Sequence, residues 1–168
     1  MRRVYGDKKY IDESKLHQLK YISAVIKETL RLHAPVPLSL PRENDQCCEI
    51  NGYVIPPKTK VIINVWAIAR DPNYWHNPDK FEPKRFLDAT IDYNGINFEY
   101  IPFGAGRRIC PGLTFSTPIL ELLLSNLLYH FDWKLPKETR LEEFNMETFG
   151  VTVRRKNDLI LVPDCYSP

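Results

Sequence analysis

The chain has 168 residues, 43% hydrophobic and 26% charged, and its 23 Lys and Arg against 21 Asp and Glu leave a formal charge of +2. That composition builds a core rather than a disordered chain, the length suits about one domain, and the balanced charge gives no case for nucleic acid as a partner. No apolar run reaches the ~18 residues of a membrane span, the polar start reads as neither signal peptide nor anchor, and collagen, coiled coil and disulfide miniprotein are excluded.

Residues 1–13 are mostly polar, with Asp12 or Ser14 as the candidate helix cap. Over residues 14–33, Leu16, Leu19, Ile22, Val25, Ile26 and Leu30 recur at helical spacing, and Pro35 and Pro37 end the helix. A strand is expected around residues 38–40. A hairpin follows, residues 47–50 returning as 53–55 about the Asn51-Gly52 turn. Pro56-Pro57 lead into a strand over residues 60–65, and residues 66–70 read as a short helix stopped by Asp71-Pro72.

Residues 71–109 show no period. They hold Pro72, Pro78, Pro83 and Pro102 among Tyr74, Trp75, Phe81, Phe86, Phe98, Tyr100 and Phe103. So long an irregular stretch within a domain points to a packed segment organised by function or by a ligand. A long apolar helix is predicted over residues 113–131, then two strands, 151–155 and 159–162, about Asn157-Asp158.

The four cysteines, Cys47, Cys48, Cys110 and Cys165, show no C-x-x-C spacing and no disulfide framework, which suits a reducing compartment. Cys47, Cys48 and Cys165 are read as small buried apolar residues. His17, His33, His76 and His130 are read as surface or satisfied residues.

Cys110 stands in a different setting. Gly104 and Gly106 let the backbone turn tightly and approach a flat partner. Arg107 and Arg108 place positive charge nearby, and Pro111 marks a helix start just beyond. These features favour a thiolate, either a nucleophile or a soft metal ligand. A nucleophile needs a base, and no histidine is placed for it by sequence. A lone thiolate among Gly, Phe and Arg suits an iron porphyrin, with Phe103 near the sulfur and Arg108 meeting a propionate.

Phe103, Gly106, Arg108, Cys110 and Gly112 resemble the F-x-x-G-x-R-x-C-x-G haem signature of cytochrome P450. Glu28 and Arg31 match the E-x-x-R of the same family on the earlier helix, and residues 81–86 match its F-x-P-x-R-F segment. The strings KETLRLHAPVPLSLPRE and FGVTVRRKNDLILVP resemble plant microsomal members.

The resemblance implies a mixed α+β fold, mainly α, with two long helices, small antiparallel sheets and a packed irregular meander. Residues 1–168 would be the C-terminal portion of one such domain. Cys110 would ligate the iron of haem b, with Phe103, Gly104, Gly106, Arg108 and Gly112 around it and Arg42 reaching a propionate from the strand side. Glu28, Arg31 and Arg85 would form a buried charge cluster. Val36, Ser39 and Leu40, with Phe149, Gly150 and Val151, would line the substrate pocket.

The implied reaction inserts one oxygen atom from O2 into an apolar small molecule. Electrons would come from NADPH through NADPH-cytochrome P450 reductase. The implied location is the cytosolic face of the endoplasmic reticulum membrane, held by an N-terminal anchor that this chain lacks. The oxygen-activating helix and the upstream propionate ligands of the family are also absent from it. A competing expectation is a truncated, non-catalytic product that binds haem weakly or binds a protein partner. Relatives that rearrange peroxides without a reductase usually depart from the pattern around the cysteine, and this chain does not. Its departures are Pro118, expected to kink the second long helix, with Ser116 and Lys84 as tolerated changes.

Overall fold

The computed structural model describes residues 11–137 and 151–166. Asp12 is the cap, its carboxylate accepting from the Ser14 amide at 3.0 Å, but the first turn is a 3-10 helix, Glu13–Gln18. The α-helix proper, α1, is Lys20–Leu32, starting after Leu19, whose ψ of 49° breaks the expected single helix. The break lets Leu19 bury with Ile11 and Tyr129, with Leu16, Ile22 and Leu122 packed around them. This apolar cluster ties the entry of α1 to the second long helix, α3, Leu113–His130.

Three two-stranded antiparallel sheets follow the sequence in part. Strand β1, Arg42–Glu43, pairs with β4, Lys60–Val61, so that Arg42 faces Val61. The hairpin β2, Cys48–Ile50, and β3, Tyr53–Ile55, turns at Asn51 (φ 50°) and Gly52 (φ 82°), the left-handed pair of a tight hairpin turn. The strand expected at residues 38–40 is absent. Ser39 has φ 54° and its amide donates to the Val36 carbonyl at 3.1 Å, which makes a turn there. The strand from Lys60 stops at Val61, because Asn64 caps a one-turn helix, α2, Val65–Ile68, by accepting from the Ala67 amide at 3.0 Å.

The meander is packed, not loose. Trp75, Phe86 and Tyr100 bury against Ala24 of α1, and Ile101 joins Ala34 and Val65 in a neighbouring cluster. Helix α3 runs on through Pro118 without a break in its helical range. Just before the proline, the Thr117 hydroxyl donates to the Leu113 carbonyl at 2.9 Å.

The C-terminal hairpin expected within residues 151–162 is also corrected. The strand is β6, Val162–Cys165, and it pairs with β5, Phe131–Lys134, which runs directly out of α3. The four cysteines are all exposed, against the expectation for Cys47, Cys48 and Cys165. The residues of β2 and β6 are all exposed.

Candidate functional site

Two structures make the site: a Gly-rich loop that presents Cys110, and a buried charge cluster linked to it by a chain of aromatic rings. The loop starts from Ile101, a core residue, whose carbonyl accepts the Gly104 amide at 3.0 Å. Gly104 has φ 75° and Gly106 φ 68°, a region other residues adopt only under strain. A 3-10 turn, Gly106–Arg108, follows, and the Ile109 amide donates back to the Gly106 carbonyl at 3.1 Å. The Cys110 amide then donates to the Phe103 carbonyl at 2.9 Å, closing the loop beneath an exposed sulfur.

Helix α3 begins at Leu113 with Gly112 at its cap, so Pro111 lies one residue before the cap rather than at the first helical position. A side chain at Gly112 would place its Cβ 3.6 Å from the Cys110 sulfur. A Cβ at Gly106 would meet nothing within 4 Å, so the loop is bare on that side. Arg107 and Arg108 are exposed. Phe103 is half-buried and meets Tyr93 edge-on, ring centroids 5.6 Å apart.

Glu28, Arg31 and Arg85 come together. Glu28 and Arg31 have no exposed surface. Arg31 grips the carboxylate with a fork, Nε to Oε2 at 2.8 Å and an Nη to Oε1 at 2.9 Å. Arg85 Nε donates to Oε1 at 3.1 Å and the Glu82 amide donates to the same oxygen at 2.8 Å. The free end of Arg31 donates to the carbonyls of Ala69 and Pro78, both at 2.7 Å, and Arg85 donates to that of His76 at 2.8 Å. Burial alone pushes the Glu28 carboxyl up, but the Arg31 fork, the Glu82 amide and the charges of Arg31 and Arg85 outweigh it and hold the acid below its usual range. One helix side chain thus orders a string of meander carbonyls that have no regular structure of their own.

The cluster connects to the loop through aromatic rings the sequence did not mark as functional. The Arg31 guanidinium lies 5.1 Å from the Trp75 ring, and Trp75 meets Tyr100 edge-on at 6.1 Å. Tyr100 lies 6.4 Å from Tyr93, which in turn packs on Phe103. The Tyr100 hydroxyl donates to the Lys27 carbonyl at 2.7 Å, and burial drives its ionisation upward. The signal available in the sequence was the aromatic density of the meander, which gave no pairing.

The other predicted residues spread over the strand side. Arg42 is half-buried on β1. Val36 and Ser39 are half-buried in the turn after α1, and Leu40 is exposed. The Val153 amide donates to the Pro35 carbonyl at 2.8 Å, which brings the segment beginning at exposed Val151 beside that turn. Phe149 and Gly150 lie outside the described residues.

The residues around Cys110 fit an iron porphyrin. Among the described residues no group of three or more His, Cys, Asp or Glu could hold a metal ion. A metal at Cys110 must therefore bring its remaining donors with it, as a macrocycle does. The bare glycine backbone, the room beside the sulfur at Gly112 and the exposed arginines suit a flat, anionic partner.

Comparison with known proteins agrees with this geometry. The profile of the cytochrome P450 family matches residues 1–162. The chain is 58% identical over 164 residues to soybean (Glycine max) cytochrome P450 71D10, covering 97% of this chain and 32% of that protein. It is 59% identical over 169 residues to tabersonine 16-hydroxylase 2 of Catharanthus roseus, covering 99% of this chain and 33% of that one. With premnaspirodiene oxygenase of Hyoscyamus muticus the figures are 53% over 169 residues, 100% and 34%. The chain thus spans about a third of the length of these relatives. A solved structure described as a zebra fish cytochrome P450 with abiraterone superposes with a TM-score of 0.78 at 29% identity, over 95% of this chain and 36% of that one. By sequence, fold and the matched haem signature, the chain belongs to the cytochrome P450 family.

Proposed function

We propose that residues 1–168 form the C-terminal third of a haem-thiolate monooxygenase, and that this part supplies the iron ligand and the wall behind it. The observation that carries the reading is the Cys110 loop, which closes on the Phe103 carbonyl and leaves the sulfur exposed. Cys110 would hold the haem iron through its thiolate Sγ, the electron-rich ligand that suits oxygen-activating haem chemistry. Gly104 and Gly106 would admit the macrocycle, and Phe103 would stand beside the thiolate once the haem is seated. Arg108 and Arg42 would hold the propionates through charge-assisted hydrogen bonds. Haem b, when bound, supplies the oxygen-activating chemistry.

The balanced reaction takes an apolar substrate, O2, NADPH and a proton to hydroxylated product, water and NADP+. Electrons arrive through the membrane flavoprotein NADPH-cytochrome P450 reductase, at the cytosolic face of the endoplasmic reticulum. The turn bearing Val36, Ser39 and Leu40, with the segment at Val151 beside it, belongs to the substrate pocket. The supporting contact is the Val153–Pro35 hydrogen bond.

The test is the ferrous–CO spectrum of the full-length enzyme and its Cys110→Ser variant. The parent shows the red-shifted band of thiolate ligation, and the variant loses it along with hydroxylation. A red-shifted band that survives in the variant overturns the assignment.

A further inference from the structure

Gly95 lies outside every signature motif, in the turn before the Cys110 loop. We propose that Gly95 is a positioning residue for the Cys110 thiolate: its lack of a side chain lets the meander back directly onto Ala105 and Ile109 and so sets where the sulfur stands. The inference rests on the reading of Cys110 as the haem ligand.

The contact is the tightest at any described glycine. A Cβ at Gly95 would lie 3.0 Å from Ile109 Cδ1, 3.1 Å from Ala105 Cα and 3.4 Å from Ala105 Cβ. Its φ of 80° adds a backbone cost for any other residue. Gly104 and Gly106 differ, since their need for glycine is conformational and a Cβ there meets nothing closer than 4.0 Å. Ile109 Cδ1 ends a rotatable side chain, but Ala105 Cα is backbone of the cysteine loop itself, so a push there shifts the loop that carries Cys110.

The turn carrying Gly95 is not free to retreat. The Asp92 amide donates to Asn97 Oδ1 at 3.1 Å, the Ile96 amide to Asn94 Oδ1 at 3.0 Å, and the Tyr100 amide to the Asn97 carbonyl at 2.9 Å. Lys27 of α1 holds the same turn, donating to the Ile91 carbonyl at 3.3 Å and pairing with Asp92 at 3.2 Å. A side chain at Gly95 therefore displaces the cysteine loop rather than its own turn.

The experiment compares ferrous–CO spectra of the haem-loaded full-length enzyme, normalised to bound haem. In Gly95→Ala, the ratio of thiolate-lost to thiolate-held haem rises about five-fold, the ratio that about 1 kcal/mol sets. Gly52→Ala is the control, because Gly52 has the same backbone need (φ 82°) and nothing within 4 Å of its Cβ. It keeps the parent ratio. Ala105→Val crowds the same contact from the other side without the left-handed cost, shifts the ratio in the same direction, and carries the test if Gly95→Ala does not load haem. Ile109→Val, which removes the Cδ1 atom, restores part of the band to Gly95→Ala. A parent that has the red-shifted band while Gly95→Ala and Ala105→Val keep its ratio overturns this inference alone. A parent without the band overturns the reading of Cys110 and this inference with it.

Discussion

The Glu28 carboxylate has no exposed surface, and its two oxygens accept four N–H donors, three at Oε1 and one at Oε2. Removing the charge strands two guanidinium groups, of which Arg31 is fully buried, so Glu28→Gln costs about 3–5 kcal/mol, measured by urea unfolding of the full-length enzyme. Its pH dependence has a definite sign. The carboxyl titrates lower in the fold than its ordinary value of 4.5. Its contribution is therefore complete above that value and is lost as pH falls through the folded pKa. The Tm of the parent falls as pH drops through that acid range, and the Tm of Glu28→Gln falls less with pH; equal dependence of Tm on pH refutes the linkage. Ser125 presents the opposite case, a fully buried hydroxyl on α3 with no hydrogen-bond partner among the described residues. Ser125→Ala removes the unsatisfied group at little cost in volume, and stability holds or rises by about 1 kcal/mol. A loss of that size in calorimetry would mean the hydroxyl is satisfied after all. The contacts among Glu28, Arg31 and Arg85 were legible because motifs name those residues; Ser125 was not, because its cost depends on burial alone.

At the scale of elements, legibility tracked local signals. The Asn51-Gly52 hairpin and the end of α1 before Pro35 rest on residues adjacent in sequence, and both stand in the structure. The C-terminal hairpin did not, because the partner of β6 is β5, far upstream, joined also by Lys134 Nζ donating to Asp164 at 2.7 Å. No local pattern announces such a pairing. The turn before β4 shows how one side chain can replace a longer sheet. Asn44 Nδ2 donates to the carbonyls of Gln46 and Pro56, each at 2.8 Å, and its Oδ1 accepts the Thr59 amide at 2.9 Å. These bonds hold Lys58 at φ 65° between β3 and β4. Asn44→Ala releases the turn at a cost of about 1–3 kcal/mol. Hydrogen exchange at the Thr59 amide reads it directly, and protection unchanged from the parent would show that the backbone alone holds the turn.

At the scale of the molecule, the described residues leave one long helix largely uncovered. Helix α3 is apolar nearly all round, as a helix buried on every side would be. Here Phe115 is 74% exposed, and Leu123 and Leu127 lie open along the same helix. The chain also spans about a third of its relatives' length, so α3 has apolar surface that these residues do not cover. Uncovered surface of this kind drives association in water. The 168-residue chain on its own therefore self-associates. Leu123→Glu with Leu127→Lys, a charge pair of helix-favourable spacing, moves it toward monomer in sedimentation velocity while its helical circular dichroism is kept. A parent chain that sediments as a monomer at the same concentration refutes this, because the apolar face of α3 would then be covered by the chain itself.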